Sequence, residues 1–126
     1  MTTISKGQLE AKISNTFTQF EKEHLGRGPK EARAYIIRDM ILVRLKGILT
    51  PAEENLAAQE GGAHLIKDIR TRLTETSRPL LEKILKDNTN RAVISMHTDI
   101  SVRSGERIFV FVLDQNLEEN LSSSEK

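Results

Sequence analysis

The sequence predicts an α+β domain. Two β-hairpins form a four-stranded, mainly antiparallel sheet, with a first helix and a long Pro-kinked helix on one face, in the order helix, hairpin, helices, hairpin. Three observations carry this expectation. Ser5-Lys6-Gly7-Gln8 and Thr50-Pro51-Ala52-Glu53 each have the spacing of a capping box, which fixes two helix starts. Arg33 to Arg38 with Ile41 to Ile48, and Arg91 to Ser101 with Arg107 to Asp114, are two pairs of neighbouring runs rich in β-branched and aromatic residues. Between the pairs, apolar residues recur at helical spacing over more than twenty positions.

The first helix opens at Ser5, with Ile4 and Leu9 placed as a hydrophobic staple. Leu9, Ile13, Phe17 and Phe20 mark its apolar face, and it runs to about Leu25, where Gly26 supplies a left-handed stop. His24 falls in the last turn, where a cation is mildly favoured, and reads as a solvated or capping residue. Gly26, Gly28 and Pro29 then prevent the helix from continuing.

In the first hairpin, a two-residue loop at Asp39-Met40 places Arg38 opposite Ile41. Ala34, Ile36, Ile41, Val43 and Leu45 then share one face, and Arg33, Tyr35, Ile37, Leu42, Arg44 and Lys46 the other. The Thr50 helix has Pro at its first position and is short, because Gly61-Gly62 interrupts it. A long helix follows from about Ala63 to Asp87. Its stripe of Ile66, Ile69, Leu73, Leu80 and Ile84 stays in phase across Pro79, which favours one kinked helix over two. In the second hairpin Ile94, Met96 and Ile100 alternate with Ser95, His97 and Asp99, as in a half-buried strand. Ile108 to Leu113 is apolar on both faces, the mark of an interior strand. The order of strands in the sheet is not derivable from these patterns.

With 126 residues, the chain is read as one domain over 1–114 followed by an acidic, Ser-rich disordered tail over 115–126. It contains no Cys, which excludes disulfides, thiolate zinc sites and Cys nucleophiles and fits a reducing compartment. It shows neither a signal pattern nor a long apolar run, so a cytoplasmic protein without direct membrane insertion is expected. The net charge of +1 is too small to argue for a polyanionic partner. It is unevenly spread: residues 1–49 hold nine Lys/Arg against five Asp/Glu, and the remainder ten against thirteen.

Chemistry-bearing residues are few. Gly26-Arg27-Gly28-Pro29-Lys30 could cradle a small anion through Arg27, Gly28 and Lys30, although it matches neither the phosphate loop nor the dinucleotide fingerprint; a basic connector is the simpler reading. His97 and Asp99 share a strand face, but two ligands make no metal site, and no metal or cofactor is expected. Arg33, Arg44 and Lys46 lie beside Tyr35, yet only 4% of residues are aromatic, so nucleic acid is not expected. No Ser stands in a nucleophile elbow and no carboxylates cluster. No catalytic residues are assigned, and the chain reads as non-enzymatic.

The run GRGPKEARAYIIRDMILVRLKGILTPAE, the spacing of Arg70, Leu73 and Arg78-Pro79, and the run HTDISVRSGERIFVFVL resemble the MpsC-like family. These are small bacterial proteins named after the C component of a Na+-translocating, membrane-potential-generating system. The resemblance covers residues 5 to 114 and implies a cytoplasmic accessory protein associated with a membrane ion or inorganic-carbon transport system, with transport-complex subunits as partners. No residue roles come with it.

The expected function is therefore an interaction or regulatory module, with a small-anion or nucleotide sensor at the GRGPK loop as the alternative. Its interaction face is expected to comprise Tyr35, Ile37, Leu42, Arg44 and Val93, joined by one of the two apolar sets of the last strand. A homodimer through this open sheet face is the simplest closure.

Overall fold

A computed structural model describes residues 4–121, so positions 122–126 of the expected tail lie outside the described residues. The chain runs α1 (Lys6–Leu25), β1 (Glu31–Ile37), β2 (Met40–Lys46), α2 (Pro51–Ala57), α3 (Gly62–Thr89), β3 (Val93–Ser101), β4 (Glu106–Leu113) and a short 3-10 turn (Glu118–Asn120). The four strands form one antiparallel sheet in the order β1-β2-β4-β3. The strand that is apolar on both faces, β4, is thus interior, and the two hairpins meet through β2 and β4.

Both capping boxes form. The Ser5 hydroxyl accepts from the Gln8 N–H and the Gln8 side chain accepts from the Ser5 N–H, at 3.1 and 2.9 Å. Gly26 ends α1 at φ 82°, in the left-handed region. Leu9, Ile13, Phe17 and Phe20 are buried as expected, and Phe17 packs its ring between Phe109 and Phe111 at 5.4 and 5.8 Å. Helix α1 lies against β1, and there the Glu10 carboxylate accepts from the Ile36 N–H at 2.8 Å. Strand β1 is an edge strand, so this bond occupies an outward backbone donor that would otherwise invite another strand.

The first hairpin turns at Arg38-Asp39, with Ile37 opposite Met40 and Ile36 opposite Ile41, not at Asp39-Met40. The pairing slides by two residues, and because side chains alternate with period two, every residue keeps its expected face. Contacts from the far end of the chain favour this turn. Arg38 adopts φ 56°, its carbonyl accepts from the N–H groups of Leu117 and Glu118, and its own N–H donates to the Glu118 carboxylate at 2.7 Å. Leu117 is itself buried in the core, so folded structure continues past Asp114.

Helix α3 is continuous through Pro79, but its buried side differs from the expected stripe. Ile66, Arg70, Thr74, Leu81 and Leu85 face inward, whereas Ile69, Leu73 and Leu80 are exposed together with Leu65. The helix starts tightly against α2, since a Cβ at Gly62 would stand 1.7 Å from the Leu56 carbonyl oxygen. On β3 a bulge between Val93 and Ser95 shifts the alternation. Val93 therefore pairs with Leu113 and packs against the core, not on the open face, and Ile94 points out.

At the start of α2 the Thr50 hydroxyl accepts from the Glu53 N–H at 3.1 Å and the Glu53 carboxylate accepts from the Thr50 N–H at 2.9 Å. Thr50→Ala is expected to lower stability by about 1 kcal/mol. A urea-denaturation midpoint equal to that of the unchanged chain would remove the cap from this account.

Candidate functional site

Three places gather the residues with chemical potential: the open sheet face, the cleft beside the GRGPK loop, and a buried charged cluster.

The open face is the side of the sheet that α1 and α3 leave uncovered. Tyr35 and Ile37 from β1, Leu42 from β2, and Ile108, Val110 and Val112 from β4 form its apolar centre, because the register aligns Tyr35 with Leu42 and Leu42 with Val110. Tyr35, Ile37 and Ile108 are exposed and the others half-buried. The set contributed by β4 is Ile108, Val110 and Val112, since Phe109, Phe111 and Leu113 fill the core. Ion pairs border it: Arg44 pairs with Glu106 across β2 and β4, and Arg33 with Glu31 along β1. His97 and Asp99 also lie on this side of β3, opposite Val110 and Ile108, with Asp99 drawn to Lys67 at 3.1 Å. No group of three or more His, Cys, Asp or Glu that could hold a metal occurs among the described residues.

The residues of the GRGPK loop point to three different places. Arg27 donates from Nη1 to the Leu49 carbonyl at 3.1 Å, which straps the loop to the connection between β2 and α2. Gly28 passes under the Lys22 side chain, whose Cγ would stand 3.0 Å from a Cβ there. Only Lys30 reaches an open cleft of about 570 Å³, where Arg103 and Ser104 of the β3–β4 turn meet it over Leu49, Ala57 and Val102. Lys30 and Arg103 form no ion pair among the described residues, and Glu54 also borders the cleft.

The buried cluster was invisible to patterning, which reads charged residues as solvated. Arg70 on α3 is only 5% exposed. It donates from Nε and Nη2 to the two Glu53 oxygens at 2.9 and 2.7 Å and from Nη2 to the Ile48 carbonyl at 3.0 Å. Its Nη1 has no partner among the described residues. Burial pushes the Glu53 carboxyl up, but the hydrogen bonds from Arg70 and Thr50 outweigh it and hold the group below its ordinary value. Arg107, 2% exposed, donates to the Thr98 hydroxyl at 2.8 Å and to the Arg70 carbonyl at 3.4 Å, and stacks on Phe109. Burial lowers its pKa, partly offset by Glu21. Glu21 on α1 is 2% exposed and has its pKa raised to about 7, because burial outweighs the attraction of Arg70 and Arg107. The one sequence signal of this cluster is an Arg set in the middle of an apolar helical stripe.

No helix among the described residues is long and apolar enough to cross a membrane. Residues 5–115 match the profile of the family described as "Na+-translocating membrane potential-generating system (MpsC)", and the chain belongs to that family. It is also similar to "Uncharacterized protein YbcI" of Bacillus subtilis (strain 168), with 47% identity over 117 residues, 93% of this chain and 94% of the relative. No solved structure matches.

Because Glu21 binds its proton more tightly in the folded state than in the unfolded chain, its contribution to stability is fully present below about pH 4.5 and is lost as the pH rises through about 7. The loss is on the order of 3 kcal/mol, at 1.36 kcal/mol per pH unit. Glu21→Gln should remove this fall. Urea midpoints at pH 5, 6, 7 and 8 check it, and parallel curves for the two chains would show that Glu21 does not titrate in that window.

Proposed function

We propose that this member of the MpsC family is a non-enzymatic accessory module of a membrane ion-transport system, acting from the cytoplasmic side through protein contacts at its open sheet face. The observation that carries the reading is the apolar centre at Tyr35, Ile37 and Ile108, left uncovered by both helices and bordered by ion pairs. An apolar centre with a polar rim is the usual anatomy of a protein-binding surface. The family description supplies the transport association. Transport chemistry would belong to the membrane-embedded subunits, with this chain docking on them.

The test compares the tagged chain with its Leu42→Glu/Ile108→Glu variant in affinity purification from detergent-solubilised native membranes. The unchanged chain should retain a membrane-embedded transport subunit and the variant should lose it, with both equally folded by circular dichroism. Equal recovery by the two, or recovery by neither, would overturn the reading.

One observation favours a second reading, a small-anion sensor. Lys30 and Arg103 face the same cleft without a carboxylate pairing either of them among the described residues. Inorganic phosphate or a nucleotide should then raise the melting temperature by mass action. Lys30→Ala/Arg103→Ala should abolish the rise, and shifts of equal size in both chains would return the cleft to a purely structural role.

A further inference from the structure

Helix α3 carries a second apolar surface, independent of the sheet face. Leu65, Ile69, Leu73 and Leu80 are 47, 46, 44 and 38% exposed. At about 100° per residue they fall within one sector of the helix, with Thr76 among them. Leu65 to Leu80 spans about 22 Å at 1.5 Å per residue. Four large aliphatic side chains in one line are not the scattered apolar residues of an ordinary surface; they form a seam.

We infer that this seam is closed by a second copy of the same chain, with the two α3 helices packed antiparallel about a two-fold axis near residues 74 and 75. Two features of α3 identify the occupant. The first is the apolar spacing. Ile69, Leu73, Thr76 and Leu80 follow the alternating four- and three-residue steps of a coiled-coil seam. In antiparallel register Ile69 lies opposite Leu80 of the partner and Leu73 opposite its Thr76, so the seam is its own complement.

The second feature is the order of charges: Asp68, Arg72 and Glu75 lie along one flank of the seam, and Lys83 takes the next seam position after Leu80. In the same register Arg72 meets Glu75 of the other copy and Asp68 approaches its Lys83, and the two-fold axis repeats both pairs. A parallel arrangement would instead set Lys83, which continues the seam's spacing beyond Leu80, against Lys83 of the other copy, a repulsion that selects against it. The Asp68–Arg72 and Lys83–Asp87 pairs within each helix are exposed i,i+4 contacts at 3.3 and 2.8 Å. Such pairs are weak enough to be shared with a partner. Arg72 in particular, with 79% of its side chain exposed, can sit between Asp68 of its own helix and Glu75 of the other.

Light scattering and sedimentation at micromolar to hundred-micromolar concentration test the inference. The chain should form a dimer of about twice 14.2 kDa. Leu73→Glu should be monomeric over the same range, with unchanged circular dichroism because the position is exposed. Arg72→Glu and Glu75→Arg should each weaken the dimer by about three- to tenfold, and the double swap should restore it. Because the chain has no Cys, orientation can be read separately. A mixture of Ile69→Cys and Leu80→Cys single variants should form the mixed disulfide, while Lys83→Cys alone should cross-link poorly. A monomer throughout would overturn the inference. So would a dimer indifferent to Leu73→Glu, one abolished only by Leu42→Glu on the sheet face, or efficient cross-linking of Lys83→Cys to itself.

Discussion

A guanidinium can be buried only where acceptors are already in place, and the position of Arg70 governs the rest of this structure. Its acceptors are the Glu53 carboxylate and the Ile48 carbonyl, both in the short stretch that leaves the first hairpin and opens α2. Glu53 in turn completes the cap at Thr50. One carboxylate thus closes the start of α2 and neutralises a cation from α3, which binds hairpin, short helix and long helix at a single point. A bidentate pair of this kind also fixes orientation, because loss of Glu53 would leave the buried Arg70 charged and dry.

That orientation has a consequence for the surface. Neighbouring residues on a helix point about 100° apart, so turning Arg70 and Thr74 inward with Ile66, Leu81 and Leu85 turns Leu65, Ile69, Leu73 and Leu80 toward the side. The apolar sector of α3 is wider than the sheet can cover. A helix rotated to bury Ile69 and Leu73 would lift Arg70 off Glu53. The exposed seam is therefore the counterpart of the buried ion pair.

The elements were legible in the sequence because their signals are local. Two capping boxes, a Gly stop and period-two alternation each involve residues within a few positions of one another, and each was realised at Ser5, Thr50, Gly26 and along β1, β2 and β4. The interior placement of β4 followed from its two apolar faces. What failed to appear in the sequence depends on distant partners. The turn at Arg38 is held by Leu117 and Glu118, some eighty residues away, so no local signal distinguishes Arg38-Asp39 from Asp39-Met40. The rotation of α3 depends on Glu53, and patterning that treats Arg as solvated selects the wrong face. The bulge at Val93 shifts one end of β3 by a single residue, which moves Val93 from the expected face to the core. Of the expected loop site only Lys30 reaches a cleft, because Arg27 is committed to the Leu49 carbonyl.

The two apolar surfaces lie on different layers, one on the uncovered side of the sheet and one along a helix on the opposite side, and neither shares a residue with the other. Both can therefore be occupied at once. A dimer joined through α3 would present two sheet faces, and an accessory protein that docks on a membrane assembly gains from this. Once one face is bound, the second is held at high effective concentration near any neighbouring site. Modest affinity at each face would then suffice, which accords with a patch at Tyr35, Ile37 and Ile108 bordered closely by the charges of Arg33, Arg44 and Glu106.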